Sequence, residues 1–87
     1  MSELEKLKER LKSLPKDFSY NETKSLLTKL GFEETNKGKT SGSRVKFQRV
    51  KDGKIINCHK PHPRKEMNPA FVRELLETLQ NSGDIEE

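Results

Sequence analysis

The stretch Arg44-Val45-Lys46-Phe47-Gln48-Arg49-Val50-Lys51-Asp52-Gly53-Lys54-Ile55-Ile56-Asn57-Cys58-His59 decides the fold. Successive side chains of a strand point to opposite faces, so the order of apolar and polar residues assigns each to a side. Asp52-Gly53 is a strong signal for a two-residue type I′ turn. With that turn, residues 43–50 and 55–60 pair as an antiparallel hairpin. Phe47 then faces Cys58, Arg49 faces Ile56, Lys46 faces His59 and Gln48 faces Asn57. One face collects Val45, Phe47, Ile56 and Cys58, which is a core. The other collects Arg44, Lys46, Gln48, Asn57 and His59, which is a polar platform. Pro61 and Pro63 stop the returning strand.

Upstream of the hairpin lies the polar, glycine-punctuated loop Lys37-Gly38-Lys39-Thr40-Ser41-Gly42-Ser43. A short strand over 32–36 precedes it. Before that, Ser19 and Glu22 have the spacing of a capping box, and Tyr20, Leu26, Leu27 and Leu30 give a helix over about 20–30 its apolar face. Gly31 stands where a left-handed residue is wanted, and Phe32 can fold back on Leu27. Leu4, Leu7, Leu11 and Leu14 mark an N-terminal amphipathic helix that Pro15 closes. Downstream, Asn68 caps a last helix with Pro69 in its first turn, and Met67 and Val72 form a hydrophobic staple. Phe71, Val72, Leu75, Leu76 and Leu79 are its buried face. Asn81-Ser82-Gly83 ends it, and the acidic residues beyond are expected to be disordered.

The expected fold is therefore α+β: a three-stranded antiparallel sheet with helices on one face and the other face open. It divides into an N-terminal helix (1–16), a main domain (17–82) and an acidic tail (83–87). The plan α-β-β-β-α after the first helix is that of the double-stranded-RNA-binding domain.

Composition narrows the functions. Only 29% of the 87 residues are apolar and 37% are charged, so the core is thin. A single cysteine excludes an intramolecular disulfide and suits a reducing cytoplasm. No apolar run is long enough for a membrane helix or a signal peptide. The segment 37–65 holds ten basic residues and one acid, Asp52, for a net +9 within a chain of net +4. A basic middle between acidic ends points to a polyanion met by one face. Its basic run lacks interleaved aromatics, which argues against a platform for stacking single-stranded bases.

From Phe18 onward the chain resembles the HicA toxins, small ribonucleases of bacterial toxin–antitoxin pairs. The residues that carry the likeness are Leu30-Gly31-Phe32, then Lys39-Thr40-Ser41-Gly42-Ser43, the basic strand, and His62-Pro63-Arg64-Lys65-Glu66-Met67. The resemblance covers roughly residues 18–80. It implies a double-stranded-RNA-binding-like fold, mRNA cleavage with no metal or other cofactor, translation arrest, and a HicB antitoxin that masks the active face. One departure matters. The family pattern is Gly-Ser-His at the start of the second strand, with the histidine catalytic. Here Gly42-Ser43 is followed by Arg44. His62 resembles a second family histidine, with a different local proline spacing.

Cleaving RNA without a metal needs a base for the 2′-hydroxyl, an acid for the leaving oxygen and cations for the phosphorane. Histidine suits the first two roles, since its pKa lies near neutrality. The chain offers two. His59, on the polar platform, can replace the missing strand histidine from the neighbouring strand, or be a plain phosphate contact. His62, between two prolines, can be the acid, or merely cap the last helix. Arg44 can stabilise the transition-state anion. RNA contacts are expected from Lys37, Lys39, Ser41, Ser43, Arg44, Lys46, Gln48, Asn57, Lys60, Arg64 and Lys65. Cys58 reads as a core residue, and alternation separates it from His59, against a shared metal site. Three functions stay open: an mRNA interferase, a non-catalytic RNA-binding module in which Arg44 marks the lost nuclease, and a module whose basic face meets an acidic protein.

Overall fold

The computed structural model describes residues 2–35, 44–61 and 65–86, with Arg44 described by its backbone alone. Helix α1 spans Glu3–Lys12, α2 Tyr20–Lys29 and α3 Pro69–Asn81; strands β1, β2 and β3 span Glu33–Glu34, Arg44–Gln48 and Ile55–His59. The three strands form one antiparallel sheet in the order β1-β2-β3. The side chains of Val45, Phe47, Ile56 and Cys58 are buried with those of the helices, among them Leu11, Leu26, Leu27, Leu75 and Leu79. On the reverse face Lys46, Gln48, Ile55, Asn57 and His59 are exposed. The expected α+β architecture, with helices on one face of the sheet, is the one observed.

Local chemistry sets the helix ends. Ser19 accepts from the Glu22 N–H at 3.1 Å and Glu22 accepts from the Ser19 N–H at 3.0 Å, a reciprocal cap. Gly31, at φ 96°, lets the Phe32 N–H reach the Leu27 carbonyl at 2.9 Å and its own N–H reach that of Thr28 at 3.1 Å. Helix α3 closes the same way: Gly83 is left-handed, and the Asp84 N–H donates to the Leu79 carbonyl at 2.9 Å. Asn68 caps its start by accepting from the Ala70 N–H at 2.8 Å.

The structure corrects four expectations. The hairpin loop has four residues, Val50 to Gly53, rather than two. The Arg49 N–H donates to the Lys54 carbonyl at 2.9 Å, and the Gly53 N–H donates back to the Arg49 carbonyl at 2.8 Å. Every pair across the hairpin therefore moves by two: Phe47 faces Ile56, Val45 faces Cys58, Lys46 faces Asn57 and Arg44 faces His59. An even shift leaves each residue on its expected face. The second correction concerns Leu14, which leaves the leucine stripe and is 42% exposed at φ 50°, the residue just before Pro15. Leu7 and Leu11 carry the stripe into the common core, with Leu4 packed against it. Third, the strand expected over 32–36 reduces to Glu33–Glu34, with the end of that span outside the described residues. Finally, the tail is ordered at its start: Ile85 is 2% exposed in the core, and Asp84 pairs with Arg49.

Arg49 explains both the longer loop and the ordered tail. It continues the buried side of β2, and its side chain is 7% exposed. Its Nε and Nη2 donate to the Asp52 carboxylate at 3.1 and 2.8 Å, inside the loop. Nη1 and Nη2 each donate to Asp84 at 2.9 Å, and Nη1 also donates to the Leu30 carbonyl at 3.1 Å. All five N–H donors of the guanidinium are used. Its Cζ lies 4.5 Å from the centroid of the Phe32 ring. Hydrogen bonds first to Asp52 and then to Asp84 raise the Arg49 pKa further, and Arg49 holds Asp52 down at about 2.

Candidate nucleic-acid interface

The register arranges the open face in rows. Glu33, Gln48 and Ile55 form one row, Lys46 and Asn57 the next, and Arg44 and His59 the last. Thr35 extends the middle row, where its N–H donates to the Lys46 carbonyl at 2.7 Å and its hydroxyl to the same oxygen at 3.2 Å. Lys46, Gln48, Asn57 and His59 are all exposed, and no salt bridge holds Lys46 or Lys60 among the described residues. The face therefore presents the Lys46 ammonium, the Glu33 carboxylate, two amides and an imidazole, with the backbone of Arg44 directly across from His59. Sequence had placed Lys46 there instead.

Past β3 the chain turns to meet α2. The Tyr20 N–H donates to the Lys65 carbonyl at 3.0 Å and the Met67 N–H to the Phe18 carbonyl at 2.7 Å, and Ser19 bridges Glu66. Lys60 is thereby held with its Nζ 5.5 Å from the Tyr20 ring centroid. Tyr20, Asn21, Lys60, Pro61 and Lys65 line a cleft of about 180 Å³. The Tyr20 hydroxyl is buried with no partner among the described residues. Burial, and after it the charge of Glu34, pushes it up to about 12, so it keeps its proton at neutral pH. Tyr20 and Asn21 were missed as members of this surface, because helical spacing marks Tyr20 only as apolar.

Other expected site residues divide sharply. Lys46, Gln48, Asn57, His59 and Lys60 come together on or beside the open face, with Lys65 exposed at the cleft. Lys37, Lys39, Ser41, Ser43, His62 and Arg64 lie outside the described residues. Arg49, one of the ten basic residues in the central segment, is turned inward and is not part of the surface. Cys58 is buried, and desolvation pushes its thiol up to about 11, which leaves almost no thiolate to act as a nucleophile.

The fold and face define a small α+β protein of the double-stranded-RNA-binding type, with a sheet closed on one side and a polar, histidine-bearing surface on the other. The model of the HicA toxin of bacterial toxin–antitoxin systems matches residues 20–80, and the chain belongs to that family. No curated protein and no solved structure matches the chain. As a toxin of such a pair it has an antitoxin partner. Among the described residues, no helix is long and apolar enough to cross a membrane.

Proposed function

We propose that this toxin binds and cleaves mRNA in the cytoplasm through the open face of its sheet, arresting translation until a HicB-like antitoxin covers that face. The observation that carries the reading is the last row, where His59 is exposed and its cross-strand partner is Arg44. Arg44 stands where the family pattern has its histidine. The imidazole is thus moved one strand over, and a cation takes the vacated position. In this scheme His59 accepts the 2′-hydroxyl proton, Arg44 answers the charge on the phosphorane, and Lys46 and Lys60 hold neighbouring phosphates. His62 supplies the proton for the leaving oxygen. Lys37, Lys39, Ser41, Ser43, Arg64 and Lys65 extend the phosphate contacts, and Gln48 and Asn57 bond to RNA from the rows behind.

RNA cleavage is tested with purified protein in EDTA. His59→Ala should slow it by about 10²-fold or more, the range for a general acid or base. Undiminished cleavage by that variant would remove His59 from the mechanism. The substitution at Arg44 also supports a second reading, an RNA-binding protein without nuclease activity. RNA affinity with no cleavage by the wild-type protein would establish it.

A further inference from the structure

The outer edge of β3 is an unpaired strand with a groove beside it. Hydrogen-bonded and non-bonded pairs alternate along an antiparallel ladder. The bond from the Arg49 N–H to the Lys54 carbonyl fixes the phase. Phe47 with Ile56 and Val45 with Cys58 then exchange the rungs between β2 and β3. Ile55, Asn57 and His59 direct their backbone N–H and C=O groups away from β2, and no described strand pairs there. The opposite edge of the sheet, β1, is only two residues long. Along β3 the edge has five residues, with neither a proline nor an inward-turned charge to blunt it.

A groove of about 390 Å³ runs beside this edge. Asn57, Cys58 and His59 form one wall, Ala70, Phe71 and Glu74 of α3 form the other, and Met67 and Asn68 complete it. An open strand facing a helix across a groove is the setting in which an extended segment adds to a sheet. Residues of an added strand would alternate. Those turned to the helix side meet Cys58, Met67 and Phe71, so they must be apolar. Those turned to the open face lie beside Asn57 and His59, with Lys46 opposite Asn57 on β2 and Lys60 next in the chain, so acidic residues fit there. A second copy of this chain is a poor occupant, since it would set one +9 segment against another.

We infer that the antitoxin inhibits by strand addition: an extended segment of alternating apolar and acidic residues pairs with β3 in the β3–α3 groove. Its acidic side chains then cover His59 and displace RNA phosphates. This rests on the open face being the RNA site. The contact is a continuation of the sheet, and its affinity comes largely from backbone groups that no side-chain substitution on this protein can remove.

Proline at the first position of an edge strand removes one outward N–H and leaves the rungs to β2 intact. Ile55→Pro is therefore compared with Ile55→Ala, using the purified full-length antitoxin as the ligand. Ile55→Pro should weaken binding about tenfold, as expected for one lost backbone bond, and Ile55→Ala much less. In the wild-type complex, the amides of Ile55, Asn57 and His59 should gain hydrogen-exchange protection. That measurement decides the matter if the proline variant fails to fold. Unchanged exchange at all three amides on antitoxin binding overturns the inference, as does protection by RNA or by self-association instead. RNA cleavage by the free wild-type protein is scored separately, so loss of this inference leaves the nuclease reading standing, and the reverse.

Discussion

The two ends of the β2–β3 hairpin put arginine to opposite uses. At the loop end Arg49 is enclosed by Asp52, Asp84, the Leu30 carbonyl and the Phe32 ring, and every donor is engaged. At the far end the backbone of Arg44 pairs across from the exposed His59. Five positions separate the two, an odd number, so alternation alone sends them to opposite sides. Positive charge along a strand is therefore not by itself a binding surface. One of the three cations over residues 44–49, Arg49, is a tie between segments distant in the chain.

Removing either kind of cation should break the contrast or confirm it. Arg49→Met should cost about 3 kcal/mol in urea denaturation, because it strands the partly buried Asp84 and opens the loop. Lys46→Ala should change stability by less than about 0.5 kcal/mol. Equal costs would mean that Arg49 is a surface charge after all.

Neighbours on β3 sharpen the contrast between faces. Cys58 points inward and its thiol is pushed up to about 11, whereas His59 is exposed. Alkylation of Cys58 by iodoacetamide at pH 8 should run about a hundredfold slower in the native protein than in urea. His59 should be acylated by diethyl pyrocarbonate in both states. Fast native alkylation would place Cys58 on the wrong side of the sheet.

Acid tests the loop end, together with Glu22, whose pKa is lowered against its burial by hydrogen bonds from Arg10 and Ser19. Hydrogen bonds from Arg49 lower the pKa of Asp84 and, more strongly, that of Asp52, to about 2. A carboxylate with a depressed native pKa contributes its stability above the unfolded value near 4 and loses it as pH falls through the native one. Melting temperature should therefore drop between about pH 4 and pH 2, and Arg49→Met should flatten that decline. The smallest effect is expected on the open face. Lys46→Ala should weaken RNA binding a few-fold at all sequences and reduce the slope of log affinity against log salt by about 1. An unchanged slope would take Lys46 out of the interface.

Much of this was legible because the signals were local. The faces of the hairpin follow from a period of two. The helix ends follow from Ser19, Glu22, Gly31 and Asn68, whose bonds span only a few residues. The register was misread because Asp52-Gly53 has the look of a two-residue turn, while Asp52 is in fact occupied by Arg49. Arg49 is also held by Asp84, which no local pattern links to β2. The same gap hid the ordered start of the tail. Tyr20 escaped notice because its ring and backbone meet Lys60 and Lys65 only once the chain after β3 returns to α2. The candidate site survived the wrong register because a shift of two positions exchanges partners without exchanging sides.

The enclosed guanidinium also sets the terms for engineering this scaffold. Libraries built at Lys46, Gln48 and Asn57 alter exposed side chains that make no hydrogen bond or ion pair among the described residues, so this face can be varied with little risk to folding. Transplanting the hairpin is another matter. Its tip is completed by a carboxylate 35 residues further along the polypeptide, and a graft that omits Asp84 carries over a loop without its anchor.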